Sequence, residues 1–386
     1  MAPAFETAEY TRRVTAACHA LNAAGLDGLL CFRPESQYWL TGFDTFGYVF
    51  FQCLVLRADG RMVLLTRAPD LRQARLTATL DDADIRIWVD GEDADPVADL
   101  RGILRELGLT GGRLGVEYEA YGLTARNGKR LDAGLEGFAH LDDASTLISR
   151  LRAVKSPAEL AHVRRAAALA DDALDAARPL VRPEAFEGDI LAAMQGAVFA
   201  GGGDYSGNEF IIGAGPNALL CRYQTDRRHL AAQDQLTLEW AGVHRRYHAA
   251  MMRTLVLGGM PARQRTLYDA AHDALLAVED ALRPGNSFGD GFAAHARVLD
   301  GAGLGAHRLN ACGYSLGTTF APNWMDWPML YAGNPVQIRP GMVIFCHMIL
   351  ADSDHGLAMT LGRTSVIGEN GAEPLSRHNL SVAIRL

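Results

Sequence analysis

The sequence predicts two domains, an α/β domain followed by a larger α+β domain. A chain of 386 residues is long for a single domain. Helix and strand patterns alternate over the first third, whereas strands are concentrated late in the chain and flanked by helices. Apolar residues make up 49% of the chain, enough to bury a sizeable core. We place the domains at residues 1–150 and 151–386.

The first domain is predicted to alternate helices and strands in three layers. The first helical pattern ends before Gly25, where a C′ glycine is favoured. Asp59-Gly60 separates two apolar runs, which is a hairpin signal. The predicted elements are helices 10–24 and 96–107 and strands 29–32, 49–56, 62–66, 85–89 and 114–117.

The second domain is predicted to begin with a well-capped helix. Ser156 can cap it, Pro157 fits its first turn and Glu159 completes a capping box. Further helices are predicted at 187–200, 262–283 and 288–303, with strands before and after them. The glycines at 201–203 form a predicted turn without a phosphate-loop pattern.

Composition excludes several classes of function. A net charge of −8 without a basic block argues against nucleic acid as a partner. We expect no transmembrane helix, because no long uncharged apolar run occurs. The N-terminus carries Glu6 and Glu9 and lacks the apolar core of a secretory signal. The six cysteines include no CxxC pair, so we expect reduced thiols and a cytoplasmic location.

Several segments, in order along the chain, resemble the creatinase/aminopeptidase P family. Gly28-Leu-Leu-Cys-Phe32 and Tyr38-Trp-Leu-Thr-Gly-Phe43 resemble the opening of its N-terminal domain, and Val154-Lys-Ser-Pro-Ala-Glu-Leu160 the start of its inter-domain helix. The segments that resemble its catalytic domain and tail are Gly215-Pro-Asn-Ala218, 238–258, Cys312-Gly-Tyr-Ser-Leu-Gly317, Pro340-Gly-Met-Val343 and 369–376. The resemblance implies a ribonuclease-H-like N-terminal α/β domain, a C-terminal pita-bread domain and a homodimer.

Most members of this family are dinuclear metallopeptidases with Asp, Asp, His, Glu and Glu as ligands. The resemblance places other residues at these five positions: Glu239, Ala250, Tyr314, His347 and Gly362. Alanine and glycine have no donor atom, and neutral tyrosine is a poor ligand for divalent ions. We therefore predict no metal, no other cofactor and no Xaa-Pro peptidase activity.

The sequence is most similar to the metal-independent ectoine hydrolase branch of that family. Glu239 lies in a Glu-x-Ala-Gly context followed by His244-Arg-Arg-Tyr-His248, and Tyr314 is followed by Pro322-Asn-Trp324. It departs from that branch at Arg222, where a His is expected, and over residues 348–362. The resemblance implies a hydrolase that cleaves a C–N bond in a small zwitterion bearing an amidine, guanidine or amide, with ectoine or a relative as the leading candidate.

Three residues are predicted to be catalytic. Glu239, in an apolar strand, is predicted to attack or anchor the substrate or to act as a base; the alternative is a structural ion pair with a nearby arginine. His347, also in an apolar strand, is predicted to donate a proton, and Tyr314 to donate a hydrogen bond to a developing oxyanion. Their alternatives are a core histidine and a tyrosine at the dimer interface.

Four more residues are predicted to bind substrate. Arg222 suits the capture of a carboxylate, unless it is a simple surface arginine. His248 shares a strand face with Ala250 and is predicted to point into the pocket. Trp324 and Trp327 are predicted to box a cationic ring, unless they pack at a dimer interface.

Two other functions stay open at this point. In the first alternative, the chain is a non-catalytic binding protein that retains a peptidase fold. In the second, a metal site is rebuilt from Glu239, His347, His248 and Asp354.

Overall fold

The computed structural model of the chain describes residues 4–381 and 384–385. It divides into two compact units, residues 1–152 and 153–386. Unit 1 is built on a six-stranded sheet and unit 2 on a nine-stranded sheet. The α/β and α+β classes predicted from the sequence are confirmed.

Unit 1 alternates helices and strands along the chain. Its elements are α1 (Thr7–Ala23), β1 (Gly28–Cys31), α2 (Pro34–Thr41), β2 (Cys53–Arg57), β3 (Met62–Arg67), α3 (Leu71–Thr77), β4 (Ile85–Trp88), α4 (Pro96–Glu106), β5 (Arg113–Val116), α5 (Ala125–Leu135), β6 (His140–Asp143) and α6 (Leu147–Arg152). The strand order is β4-β3-β2-β1-β5-β6.

The sheet of unit 1 has a core on each face, as a three-layer arrangement requires. Leu30 belongs to the cluster that α4 and α5 cover, whereas its neighbour Leu29 belongs to the cluster that α1 and α2 cover. The hairpin predicted at Asp59-Gly60 joins the antiparallel strands β2 and β3. The strand predicted over 49–56 begins only at Cys53, because residues 47–49 form a short 3-10 turn.

Unit 2 carries four helices and nine strands within its described residues. Its elements are α7 (Pro157–Ala177), α8 (Glu187–Ala200), β7 (Ile211–Ala214), β8 (Asp234–His244), β9 (Tyr247–Leu257), α9 (Ala262–Ala281), α10 (Phe288–Gly301), β10 (Ala311–Ser315), β11 (Asp326–Tyr331), β12 (Val343–Asp352), β13 (Leu357–Gly368), β14 (Gly371–Pro374) and β15 (Ile384–Arg385). The main strand order is β11-β10-β12-β13-β9-β8-β7, with β14 on β13 and β15 on β9.

The capping box predicted at the start of α7 is present. The Ser156 hydroxyl accepts a hydrogen bond from the Glu159 backbone N–H, and the Glu159 carboxylate accepts one from the Ser156 N–H. Glu159 also accepts a hydrogen bond from the Tyr247 hydroxyl on β9, at 2.8 Å. The cap therefore ties the first turn of α7 to the sheet as well as satisfying its free N–H groups.

One face of the unit 2 sheet packs against helices, which leaves the other face for the site. Trp240 on β8 donates its indole N–H to Ala170 O of α7 at 2.8 Å. Cys346 and Met348 on β12 lie in a buried cluster with side chains of α9 and α10. Side chains alternate along a strand, so Glu239 and His347 point to the opposite face.

Gly242 allows α7 to approach the sheet closely. A Cβ atom at this position would lie 2.0 Å from Ala166 O and 2.5 Å from Ala170 N, both backbone atoms of α7. Gly242→Ala is therefore expected to lower the free energy of unfolding by about 3 kcal/mol, measured by urea denaturation. The matched control is Gly196→Ala on α8, where a Cβ meets nothing within 4 Å, and a gain of about 0.5–1 kcal/mol is expected. Equal stabilities for the two variants would contradict this account of the packing.

The absence of a membrane-spanning helix and the reduced cysteines were also predicted from the sequence. Within the described ranges, no helix has both the length and the apolar character needed to span a membrane. All six cysteines are free thiols. The cytoplasmic location and the homodimer stay predictions.

Candidate active site

Glu239 and His347 share one row across the face of the unit 2 sheet that lies opposite the helices. The row runs from Glu239 on β8 through Met252 on β9 and Gly362 on β13 to His347 on β12. Tyr314 on β10 pairs with Phe345, two residues before His347, and so faces the same way. Because Tyr314 nevertheless hydrogen-bonds Glu239, the sheet must curl so that its distant strands meet over this face.

A hydrogen-bonded chain ends at the Glu239 carboxyl group. Trp324 Nε1 lies 2.8 Å from the Tyr314 hydroxyl, and that hydroxyl is bonded to Glu239. An indole nitrogen can only donate, so the Tyr314 oxygen accepts from Trp324 and its own O–H donates to Glu239. The structure thus brings together three of the predicted residues and gives Trp324 the role of holding Tyr314.

Burial makes Glu239 an unusual carboxylate. Its side chain is 7% exposed, and burial raises its pKa from 4.5 to about 7, although the charge of Arg222 and the Tyr314 hydrogen bond both favour ionisation. Arg222 lies on an exposed loop and its Nη1 donates to Cys221 O at 2.7 Å. Arg222 thus acts on Glu239 by charge and presents its guanidinium at the exposed side of the site.

His347 is a neutral ring at physiological pH. It is 7% exposed, and burial, together with the charge of His295, lowers its pKa from 6.5 to about 4. Its ring lies 5.4 Å from the Tyr314 ring, centroid to centroid, and its buried Nδ1 has no hydrogen-bond partner within the described part of the chain. The prediction that His347 donates a proton therefore needs a correction. A neutral imidazole must accept a proton before it can donate one.

His248, predicted to bind substrate, is instead fully engaged with the protein. It is completely buried; its Nε2 accepts from the Gly207 N–H at 2.9 Å, and its Nδ1 lies 2.8 Å from Arg246 O. Burial lowers its pKa to about 4. Both ring nitrogens are used, so no atom of the ring remains to hold a ligand.

The two tryptophans predicted to box a cation lie in different surroundings. Trp324 is 1% exposed, with its N–H turned to Tyr314 as described. Trp327 is half-buried and packs against the cluster that α9 and α10 form with the sheet. The predicted box is not formed, because Trp324 lies in the loop before β11 and bonds Tyr314, whereas Trp327 lies on the strand and packs against the helices.

The positions at which the resemblance implies metal ligands do not fit a metal pair. Ala250 and Gly362 offer no donor atom, and a Cβ at position 362 would lie 2.8 Å from Cys346 O. Tyr314 is already committed to Trp324 and Glu239. These five positions could therefore supply at most two of the protein ligands that a dinuclear metal site needs.

The rebuilt metal site considered from the sequence is also contradicted. His248 has no free nitrogen, and Asp354 lies in the exposed turn after β12, about 20 Å along the strand from His347. Over residues 4–381, no group of three or more His, Cys, Asp or Glu side chains is placed to hold a metal ion.

Two residues near the site were missed from the sequence. His295 on α10 is 1% exposed and its Nδ1 has no hydrogen-bond partner among the residues that the structure describes. The signal that could have predicted its burial is its helical spacing from Phe292 and Leu299, which lie on the buried face of α10. Thr319 is buried beside His248, and nothing in its sequence context distinguishes it from an ordinary loop threonine.

Two family descriptions match the chain. "Metallopeptidase family M24" matches residues 161–370, and "Creatinase/Prolidase N-terminal domain" matches residues 13–154. Together they cover both units.

Relatives span nearly the whole chain. Ectoine hydrolase of Halomonas elongata is 28% identical over 393 residues, with 96% of each protein covered. Among solved structures, dipeptidase PepE from Mycobacterium ulcerans aligns with a TM-score of 0.84 at 26% identity, covering 98% of this chain and 99% of that one. A dipeptidase from Pyrococcus horikoshii OT3 also aligns with a TM-score of 0.84, at 22% identity and 96% and 99% coverage. The pita-bread fold is therefore shared with enzymes of more than one specificity.

Proposed function

Because the chain belongs to metallopeptidase family M24 and carries the creatinase/prolidase N-terminal domain, we propose that it is a hydrolase that has exchanged the metal pair for a carboxylate-centred site. The substrate class is a small zwitterion with an amidine, guanidine or amide C–N bond, and ectoine is the first compound to test. The observation that carries the proposal is the buried Glu239 carboxyl held by Tyr314 where the family places its first metal ligand. Support also comes from the ectoine hydrolase relative.

The proposed binding mode pairs opposite charges at two ends of the substrate. The Glu239 carboxylate pairs with the cationic amidine or guanidine group, which offsets the cost of burying both charges. Arg222, on the exposed side, captures the substrate carboxylate with its planar fork of N–H donors. A zwitterion thus satisfies both charged residues, whereas a neutral amide leaves Glu239 unpaired.

The proposed reaction uses His347 as a proton carrier. Water adds to the C–N carbon while neutral His347 accepts one of its protons, and His347 returns that proton to the leaving nitrogen as the C–N bond breaks. The second water proton passes from the added hydroxyl to the released amine as the carbonyl forms. The Tyr314 O–H, which Trp324 orients, is donated to Glu239, so Tyr314 keeps that carboxylate in place against the cationic group instead of binding an oxyanion. His347 thereby donates a proton, as the sequence suggests, but only after taking it from water.

The decisive experiment is proton NMR of ectoine incubated with the purified protein, with and without excess chelator. We expect the ring signals to convert to those of the opened product at the same rate in both tubes. Opening that stops with chelator would overturn the metal-free part of the proposal. No opening in either tube would remove ectoine, and amidines, guanidines and N-acyl amino acids would be assayed next.

The non-catalytic alternative gives a different result in the same tubes. A binding protein would broaden or shift the resonances of a ligand without converting it. His347→Ala would then leave ligand binding unchanged, whereas for the proposed hydrolase it removes turnover, because no other imidazole occupies this position. The two outcomes separate the alternatives with one variant.

A further inference from the structure

The loop that carries Trp324 is fastened to the tip of the β8–β9 hairpin. The Thr319 N–H donates to Arg246 O at 3.2 Å, and the His248 N–H donates to Gly317 O at 3.1 Å. His248 and Thr319 are both buried, at 0% and 2% exposure. Two backbone hydrogen bonds therefore hold the hairpin tip and the loop together, and burial keeps both side chains away from solvent.

Hydrogen-bond partners fix the proton positions in this fastening. Arg246 O can only accept, so His248 carries its proton on Nδ1; the Gly207 N–H donates, so Nε2 must be the bare nitrogen. The single Nδ1–H is shared between Arg246 O at 2.8 Å and Thr319 Oγ1 at 3.0 Å, which leaves the threonine O–H to donate to Trp324 O at 3.4 Å. The donors thus run in one direction, from His248 through Thr319 to the Trp324 carbonyl.

The side chain of Trp324 extends this series of hydrogen bonds to the site. Its indole N–H bonds the Tyr314 hydroxyl at 2.8 Å, and that hydroxyl donates to Glu239. We propose that Thr319 and His248 are positioning residues for Glu239, acting through Trp324 and Tyr314 without touching substrate. This inference deepens the proposed function and rests on it only for its kinetic readout.

The effect of Thr319 on Glu239 can be measured without substrate. The Tyr314 hydrogen bond stabilises the charged form of Glu239, as does the charge of Arg222 on the other side. A loop released at Thr319 orients Trp324 less well, weakens the Tyr314 donation and leaves Arg222 unchanged. The pKa of Glu239 should then rise, and kcat should fall about three- to tenfold, the value of one hydrogen bond, with a smaller change in KM.

The test compares Thr319→Val, which keeps the shape but removes the hydroxyl, with Thr319→Ser, which keeps the hydroxyl. Carboxyl ¹³C NMR of each folded variant gives the titration midpoint of Glu239, assigned by the signal that Glu239→Gln lacks. We expect an upward shift in the valine variant and a near wild-type midpoint in the serine variant. Thr266→Val is the matched control, because Thr266 lies on α9 and its exposed hydroxyl bonds only Ala262 O in its own helix.

A second pair of variants tests the two ring nitrogens of His248 separately. In His248→Asn the side-chain amide can replace the Nδ1 donor toward Thr319, whereas in His248→Gln it can replace the Nε2 acceptor of Gly207. We expect the asparagine variant to keep the Glu239 midpoint closer to that of the wild type. This pair keeps the proposal testable where Thr319→Val does not fold.

The failure of this inference is distinguishable from that of the proposed function. A folded Thr319→Val protein with an unchanged Glu239 midpoint and an unchanged kcat would overturn the positioning role. A protein that hydrolyses no compound of the proposed class would overturn the function, while the NMR midpoints would still decide whether Thr319 and His248 act on Glu239.

Discussion

Glu239→Gln is expected to lower kcat by about 10³-fold or more while the protein stays folded. Glutamine has the same shape, and its carbonyl oxygen still accepts the Tyr314 hydrogen bond. It lacks the negative charge that, in the proposed binding mode, pairs with the cationic group of the substrate. Turnover of ectoine, or of whichever zwitterion is hydrolysed, measured with circular dichroism as the check on folding, gives the result.

The same substitution is expected to raise stability, with a sign that follows from the Glu239 pKa. Folding raises this pKa from 4.5 to about 7, so the folded protein prefers the protonated carboxyl. The resulting destabilisation is absent below pH 4.5, grows between pH 4.5 and 7, and is complete above pH 7, where it is on the order of 3 kcal/mol. Glu239→Gln removes it, so the gain in melting temperature should be clear at pH 8 and small at pH 4.5.

Glu369→Gln is the control for both measurements, because Glu369 lies in the exposed turn between β13 and β14. It removes one carboxylate without touching the site, and we expect wild-type turnover and a melting temperature that stays close to the wild-type value at pH 4.5 and at pH 8. Turnover of the Glu239 variant within tenfold of the wild type would show that another group holds the substrate's cation. A melting temperature that falls at pH 8 would show that Glu239 is stabilised by a partner rather than strained by burial.

Elements with strong local signals were predictable from the sequence. The capping box at Ser156 and the hairpin at Asp59-Gly60 are read from a few adjacent residues, because each motif satisfies its own backbone groups locally. The short helix α2 and the late start of β2 were not predicted. Nearly every residue of α2 is buried, so it lacks the polar face that makes a helical period visible.

The candidate site was predictable in its positions but not in its connections. Glu239, Tyr314, Trp324 and His347 were identified by their resemblance to a known arrangement, and the structure brings the first three into one hydrogen-bonded chain. Which nitrogen of His248 faces which partner depends on the curl of the sheet and the path of a loop. Those features join residues that lie more than forty positions apart in the sequence, and no local pattern encodes them.

The pH dependence separates two roles for Glu239. If its carboxylate pairs with the substrate's cation, kcat/KM should rise with pH through a midpoint near 7, where Glu239 ionises. His347, with a pKa of about 4, stays neutral around pH 7 and does not contribute to this rise in kcat/KM. A kcat/KM that falls through pH 7 would instead identify protonated Glu239 as the active form.

Arg222→Met sharpens this test, because the charge of Arg222 lowers the pKa of Glu239. Removal of this charge should move the midpoint of the rise in kcat/KM to higher pH. Added salt should move the midpoint the same way in the wild type, because Arg222 is exposed and salt screens its charge. Loss of the carboxylate clamp should also raise KM for zwitterions about tenfold or more, the value of a hydrogen bond to a charged group. Arg227→Met is the control, because that guanidinium stacks on Tyr223, 5.3 Å from the ring centroid. A midpoint that stays in place in Arg222→Met would place the carboxylate clamp, and the electrostatic partner of Glu239, elsewhere in the site.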